Sequence, residues 1–218
     1  MHLKAEISDA LRRFNKLGYR DVSTKEFISA ISGRKDLNSN IDPVLLYGFK
    51  DEMKSWNSGK WEKHLPYILV YAYHGNLNSK KEVSIIKKWA KDNNLKIVSC
   101  GNYHPWCDES ANVDPKEFLE MFLSAKAVIT DTFHGTVFSV ICEKKFCSII
   151  RGNAFKLKHL LMQAGLETQI ASECKQIESI LNRSIDYDEC RNWLTMAREQ
   201  SQQYIDTCLL EINEQLRE

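Results

Sequence analysis

No run of eighteen or more apolar residues occurs in this 218-residue chain. The most apolar region, Ala125 to Ile150, is interrupted by Lys126, Asp131, His134, Glu143, Lys144 and Lys145, so no segment has the character of a membrane-spanning helix. The amino terminus, MHLKAEISDALRR, is charged with a helical pattern and carries no apolar signal-peptide core. A charge excess is missing as well: thirty basic and twenty-nine acidic residues leave +1. That balance argues against a nucleic-acid or membrane-surface protein. There is no CxxC pair among the seven cysteines, which are odd in number and irregularly spaced. Zinc-type ligand spacing is therefore absent, Cys100, His104 and Cys107 notwithstanding, and no metal site is expected. Buried, reduced thiols in the cytoplasm are the expectation. Internal repeats and low-complexity linkers are also lacking.

What is present is an ordinary globular composition, 43% apolar and 27% charged, with strands and helices in alternation. Tyr67 to Tyr73 reads as a buried strand, followed by a helix capped at Asn78 or Ser79 and running to about Asn93. Leu95 to Cys100 reads as a second strand and GNYHPWCDESANV as a loop. Asp114 and Pro115 open a helix. Ala127 to Thr130 is a third strand, Gly135 to about Cys142 a buried helix, and Phe146 to Ile150 a fourth strand. Lys156 to Ala164 is a helix closed by Gly165. Strands separated by helices imply βαβ units, hence an α/β fold with a doubly wound parallel sheet, Rossmann-like, and helices on both faces. One domain is expected over 1–218: an α/β prelude at 1–50, the sheet core at 64–170, and a long carboxyl-terminal helix over 186–217. Trp193, Ala197, Tyr204, Cys208 and Ile212 fall on one stripe of that helix.

The corner ITDTFHGTVFSVI stands at a strand's carboxyl end, where doubly wound sheets bind ligands. A helix beginning at Gly135 would turn its free N–H groups and positive end toward the corner, favouring a phosphate or carboxylate. In that reading Gly135 lets a ligand approach, Thr132 caps the helix or donates its hydroxyl, and His134 carries a proton near neutral pH. Arg151 and Lys156, after the next strand, supply cations. The alternative reading makes Thr130, Asp131, Thr132 and His134 ordinary turn and cap residues.

The run DPKEFLEMFLSAKAVITDTFHGTVFSVICEKKF resembles the signature region of the polysaccharide pyruvyl transferase family, with its acidic-Pro-x-x-Phe helix and FHGT corner. VSTKEF (22–27), IDPVLL (41–46) and LPYILVYAYHGN (65–76) are similar to further family segments. FKLKHLLMQAGLE (155–167) and IDYDECRNWLTMAREQSQQYI (185–205) resemble its closing helices, so the likeness runs over nearly the whole chain. Where the family has arginines this chain has Lys25 and Lys156, which keep the charge without the bidentate fork. Members of the family resemble two-domain glycosyltransferase B folds. This chain looks like their C-terminal half alone, either a cut piece or a naturally short protein.

The resemblance implies transfer of pyruvate from phosphoenolpyruvate to two hydroxyls of a saccharide acceptor, forming a ketal in surface polysaccharide biosynthesis. It implies no cofactor, phosphoenolpyruvate being the donor substrate. His134 and Asp131 would be catalytic. Thr130, Thr132, Gly135, Thr136, Arg151 and Lys156 would bind substrate. Two other readings stay open: a non-catalytic half-domain that binds an anion or a partner, and the donor-binding domain of a sugar-nucleotide glycosyltransferase. The apolar stripe of the last helix implies packing on this domain, on a second copy in a homodimer, or on a missing N-terminal half.

Overall fold

The computed structural model describes residues 2–56, 58–151 and 154–215. The chain divides into two compact units, one of 1–47 with 191–218 and one of 48–190. All but the last three residues of the expected prelude and most of the carboxyl-terminal helix thus fall in the first unit, and the expected sheet core in the second.

The first unit contains α1 (His2–Arg13), β1 (Leu17–Tyr19), α2 (Val22–Ser32), β2 (Leu37–Ser39) and α3 (Pro43–Tyr47). The two strands pair in parallel. Asp21 caps α2 by accepting from the Thr24 amide, and Gly33 closes it at φ +73°. Both ends follow from side-chain chemistry: a carboxylate satisfies an orphan N–H, and glycine takes the left-handed turn without a Cβ penalty. Lys25, the lysine at the family's arginine position, lies over the Tyr19 ring.

The second unit contains α4 (Lys50–Ser55), β3 (Tyr67–Tyr71), α5 (Lys80–Asp92), β4 (Lys96–Cys100), β5 (Glu109–Ala111), α6 (Pro115–Ser124), β6 (Ala127–Thr130), α7 (Phe133–Ile141), β7 (Phe146–Ile149), α8 (Phe155–Gln163), β8 (Ile170–Ala171) and α9 (Gln176–Asn182). The last helix, α10 (Asp188–Gln215), begins here and belongs to the first unit from Arg191 on. Six strands form one all-parallel sheet in the order β5-β4-β3-β6-β7-β8. Numbered from β3, that is the order 3-2-1-4-5-6 of a Rossmann sheet, whose direction of winding reverses between β3 and β6. The fold is α/β with a parallel sheet and flanking helices, as expected.

The central strands are buried on both faces, and their sequences YILVY, AVIT and FCSI are correspondingly continuous runs rather than alternating ones. Ile68, Val70, Ile129 and Cys147 are shared with Ile86 and Trp89 of α5 and Ile177 and Ile180 of α9 in one core. At the other side Phe118 and Phe122 of α6 pack on Phe138 of α7, with ring centroids 5.1 and 5.6 Å apart.

Two expectations need correction. GNYHPWCDESANV is not all loop: Glu109–Ala111 adds an edge strand to β4. Glu109 and Ser110 are polar and exposed and Ala111 is small, because an edge strand of three residues buries little, so no apolar run marks it. The carboxyl-terminal stripe also shifts. The fully buried positions beyond Arg191 are Leu194 and Ser201, seven apart, whereas Trp193, Ala197, Tyr204 and Cys208 are half-buried and Ile212 is exposed. Among the described residues, no helix is long and apolar enough to cross a membrane.

Candidate active site

The corner forms because β6 ends in a residue that can hydrogen-bond its own continuation. The Thr130 hydroxyl accepts from the Thr132 amide at 3.0 Å and lies 3.0 Å from the Thr132 hydroxyl. Thr132 adopts an extended conformation, and its Oγ1 accepts from the Gly135 amide at 2.8 Å, making it the N-cap of α7. The helix therefore starts at Phe133, two residues before the expected Gly135. His134 lies in its first turn.

That shift changes what several residues do. The Gly135 N–H is taken by the cap, and the Thr136 N–H by the Thr132 carbonyl at 3.2 Å. The Thr136 hydroxyl donates to the Thr132 carbonyl and lies 2.6 Å from Ser148 Oγ on β7. The polar groups of Thr130, Thr132, Gly135 and Thr136 are thus committed to holding strand, cap and helix together. Gly135 has a steric reason to be glycine: a Cβ there would stand 2.1 Å from Thr130 Oγ1 and 2.7 Å from Thr132 Oγ1. His134 lies in the first turn of α7, at the helix's positive end.

Asp131 faces the loop that follows β3. Its carboxylate accepts from the Tyr73 amide at 2.9 Å, from Asn76 Nδ2 at 2.5 Å and from Arg151 Nε at 3.3 Å. Its side chain has no solvent exposure. No hydrogen bond between Asp131 and His134 is present among the described residues; the Asp131 carboxylate ties the β3 loop to Arg151.

Arg151 has a second acid. Its Nη2 donates to Glu82 Oε1 at 2.5 Å, while Glu82 Oε2 accepts from the Ser79 hydroxyl at 2.6 Å. Burial works against the Glu82 charge, yet Ser79 and Arg151 together hold its carboxyl below the usual range. Two carboxylates and one guanidinium make this group net negative by one, and 36% of the arginine side chain stays exposed beside it. Sequence reasoning had no means of finding Glu82, which is 69 positions from its partner.

His134 itself is exposed, its ring 5.5 Å from that of Phe133. Lys156 is exposed in the first turn of α8, the helix after β7. Both β6 and β7 deliver their followers to the same carboxyl edge of the sheet, so His134, Asp131, Arg151 and Lys156 all stem from loops or helix starts on that edge.

One further residue stands out there. His104, in the loop after β4, is 1% exposed, and neither ring nitrogen makes a well-aligned hydrogen bond, though the Ala72 carbonyl lies close to the ring. Burial lowers its pKa, the neighbouring Ala72 carbonyl and Asp131 charge opposing and His74 assisting. Its place beside Cys100 and Cys107 is visible in the sequence, its burial near Asp131 is not. Among the described residues, no three His, Cys, Asp or Glu side chains group as a metal site would require.

The family model for polysaccharide pyruvyl transferases matches residues 2–153. That is the amino-terminal part of the chain rather than a C-terminal half. It includes the corner and Arg151 but stops short of the segments 155–167 and 185–205, whose likeness to the family's closing helices is not supported. No curated protein matches the chain. Among solved structures, the Methanocaldococcus jannaschii UDP-GlcNAc 2-epimerase in complex with UDP-GlcNAc and UDP has a TM-score of 0.56 at 15% identity, covering 84% of this chain and 60% of its own. Arabidopsis thaliana UGT89C1 complexed with UDP-L-rhamnose has a TM-score of 0.48 at 12% identity, covering 95% of this chain and 64% of its own. The chain thus spans less than two thirds of the length of these structures. At such identities the epimerase likeness speaks for the fold alone, and it agrees with the architecture described above. The family match covers more than half of the chain and contains the corner: the chain belongs to the polysaccharide pyruvyl transferase family.

Proposed function

We propose that this chain carries the donor-side catalytic residues of a transferase that moves pyruvate from phosphoenolpyruvate to a pair of saccharide hydroxyls. The observation that carries this reading is His134: an exposed imidazole in the first turn of a buried helix, at the carboxyl edge of a Rossmann sheet, beside the point where the winding reverses. Family membership supports a polysaccharide-modifying role, and the corner's chemistry supports the rest.

In the reaction two C–O bonds form at C2 of the enol and the C2–O bond to phosphate breaks. Of the two hydroxyl protons released, one ends on the methylene carbon, which becomes a methyl group, and the other leaves with phosphate. An imidazole can both give and take a proton, so it is suited to both transfers. The positive end of α7 favours the donor's anionic groups. Arg151, held by Asp131 and Glu82, and Lys156 in the first turn of α8 are the cations that follow β7 at the same edge. In this reading Asp131 is a positioning residue, since its buried carboxylate is occupied by three donors. Thr130, Thr132, Gly135 and Thr136 act by building the corner that displays His134.

The test separates binding from turnover. Titration with phosphoenolpyruvate followed by 31P NMR should show saturable binding, and incubation with saccharides bearing free hydroxyl pairs should yield a ketal methyl signal. Binding without turnover would favour a half-domain that holds an anion only. Displacement of phosphoenolpyruvate by UDP-GlcNAc at comparable concentration would favour a nucleotide-sugar site, the reading suggested by the epimerase likeness.

A further inference from the structure

A cleft of about 320 Å3 opens at the same carboxyl edge, on the other side of β3 from the corner. Its walls are Tyr71 at the end of β3, Asn102 and Tyr103 after β4, Ser110 and Asn112 on and after β5, and Phe118 on α6. The volume lies at the lower end of the range of small-ligand pockets, roughly 300–1,000 Å3.

Three observations define what the cleft can hold. First, no charged side chain lines it among the described residues, in contrast to the corner with Arg151, Asp131 and Glu82. A phosphate or carboxylate would find no cation there. Second, its polar groups are carboxamides and hydroxyls, set between two tyrosine rings and a phenylalanine. Asn102 Nδ2 already donates to the Ala72 carbonyl at 2.9 Å, and a purely apolar ligand would cover the remaining amide and hydroxyl groups without pairing them, at a cost. Third, one of the tyrosines is fixed. The Tyr71 ring packs at 5.1 Å on Phe118 and 6.0 Å on Phe122. It also presses on the backbone of Gly101, where a Cβ would stand 2.8 Å from the ring and φ is +79°. Glycine is required there to admit the ring. Tyr103 is the opposite case, 67% exposed and free to cover an occupant.

The cleft is coupled to the corner by packing and register. Tyr71 pairs with Thr130 across the β3–β6 ladder. Phe118, its far wall, packs on Phe138 at 5.1 Å. Phe138 lies four residues after His134 on α7, so the two share a helix face. The imidazole therefore stands one turn above a residue in contact with the cleft wall.

We propose that this cleft is a subsite for a neutral hexose unit of the saccharide acceptor. A pyranose ring presents apolar C–H faces, which lie on aromatic rings, and a rim of hydroxyls, which exchange hydrogen bonds with carboxamides and hydroxyls. It needs no counter-charge. The assignment takes its acceptor role from the transferase reading, but its binding chemistry is independent of that reading.

The experiment uses saturation-transfer NMR on the full chain with three neutral disaccharides, cellobiose, lactose and chitobiose, alongside 31P detection of phosphoenolpyruvate binding. At least one disaccharide should receive saturation. Tyr103→Ala and Asn112→Ala should each weaken its binding at least fivefold, without changing phosphoenolpyruvate binding. Both residues are exposed, so neither change threatens the fold, and circular dichroism checks this. Absence of saturation transfer to all three sugars overturns the proposal, as does equal binding by the variants. Cleft-dependent sugar binding by a chain that ignores phosphoenolpyruvate upholds the subsite and refutes the transferase reading. Phosphoenolpyruvate binding together with sugar binding that both variants leave unchanged does the reverse.

Discussion

Asp131 and Arg151 meet at 3.3 Å across the carboxyl ends of neighbouring strands, and the same carboxylate grips the Tyr73 amide and Asn76. One buried acid thus fixes both the loop after β3 and the cation after β7. Asp131→Ala should cost about 2–3 kcal/mol of stability, the range for losing hydrogen bonds to a buried charged group. Urea unfolding measures it, and a loss below about 0.5 kcal/mol would show that the carboxylate holds little.

Glu82 sets the electrostatic balance beside that contact. Glu82→Gln keeps an oxygen for Arg151 Nη2 and removes one negative charge, taking the group from net −1 to neutral. Phosphoenolpyruvate should then bind severalfold tighter, because an opposing charge is gone. Weaker binding in a calorimetric titration would mean that the full ion pair is needed to aim the arginine.

Gly135→Ala tests the packing of the corner. The added Cβ meets Thr130 Oγ1 and Thr132 Oγ1 at distances no relaxed structure allows. Overpacking of this kind costs about 1–3 kcal/mol, and helix propensity in the first turn recovers at most about 1 kcal/mol. A lowered melting temperature is the expected result. An unchanged or raised one would place Gly135 in a roomier setting than described.

His104 predicts a pH dependence. Burial depresses its pKa below the ordinary value of 6.5, so the unfolded chain takes up a proton at higher pH than the folded one. The contribution to stability is full above that ordinary value and is lost as pH falls through it toward the lower folded value. Between about pH 7 and pH 5 the urea midpoint should fall, and His104→Phe should flatten that fall. Parallel curves for the two proteins would contradict the assignment.

Much of this was legible in the sequence, for physical reasons that can be named. Continuous apolar runs such as YILVY and AVIT mark strands buried on both faces, and Asp114-Pro115 and Ser79 mark helix starts through their capping chemistry. Helix α7 begins two residues before Gly135, the start that the sequence suggests, because a glycine marks a point of close approach as readily as a helix start. The cap three residues earlier in hydrogen-bonding sense, Thr132, decides where the helix begins. β5 was missed because ESA at a sheet edge has no apolar signature. Glu82, Asn76 and the burial of His104 arise from tertiary contacts between distant segments, which no local pattern encodes.

The direct test of the central claim is ketal formation from phosphoenolpyruvate labelled with 13C at C2, followed by NMR in the presence of saccharides with free hydroxyl pairs. The native chain should give a ketal carbon signal with one phosphate released per ketal. His134→Ala should fold normally by circular dichroism and give none. Undiminished ketal formation by His134→Ala, or phosphoenolpyruvate left unchanged by the native chain, would contradict the account.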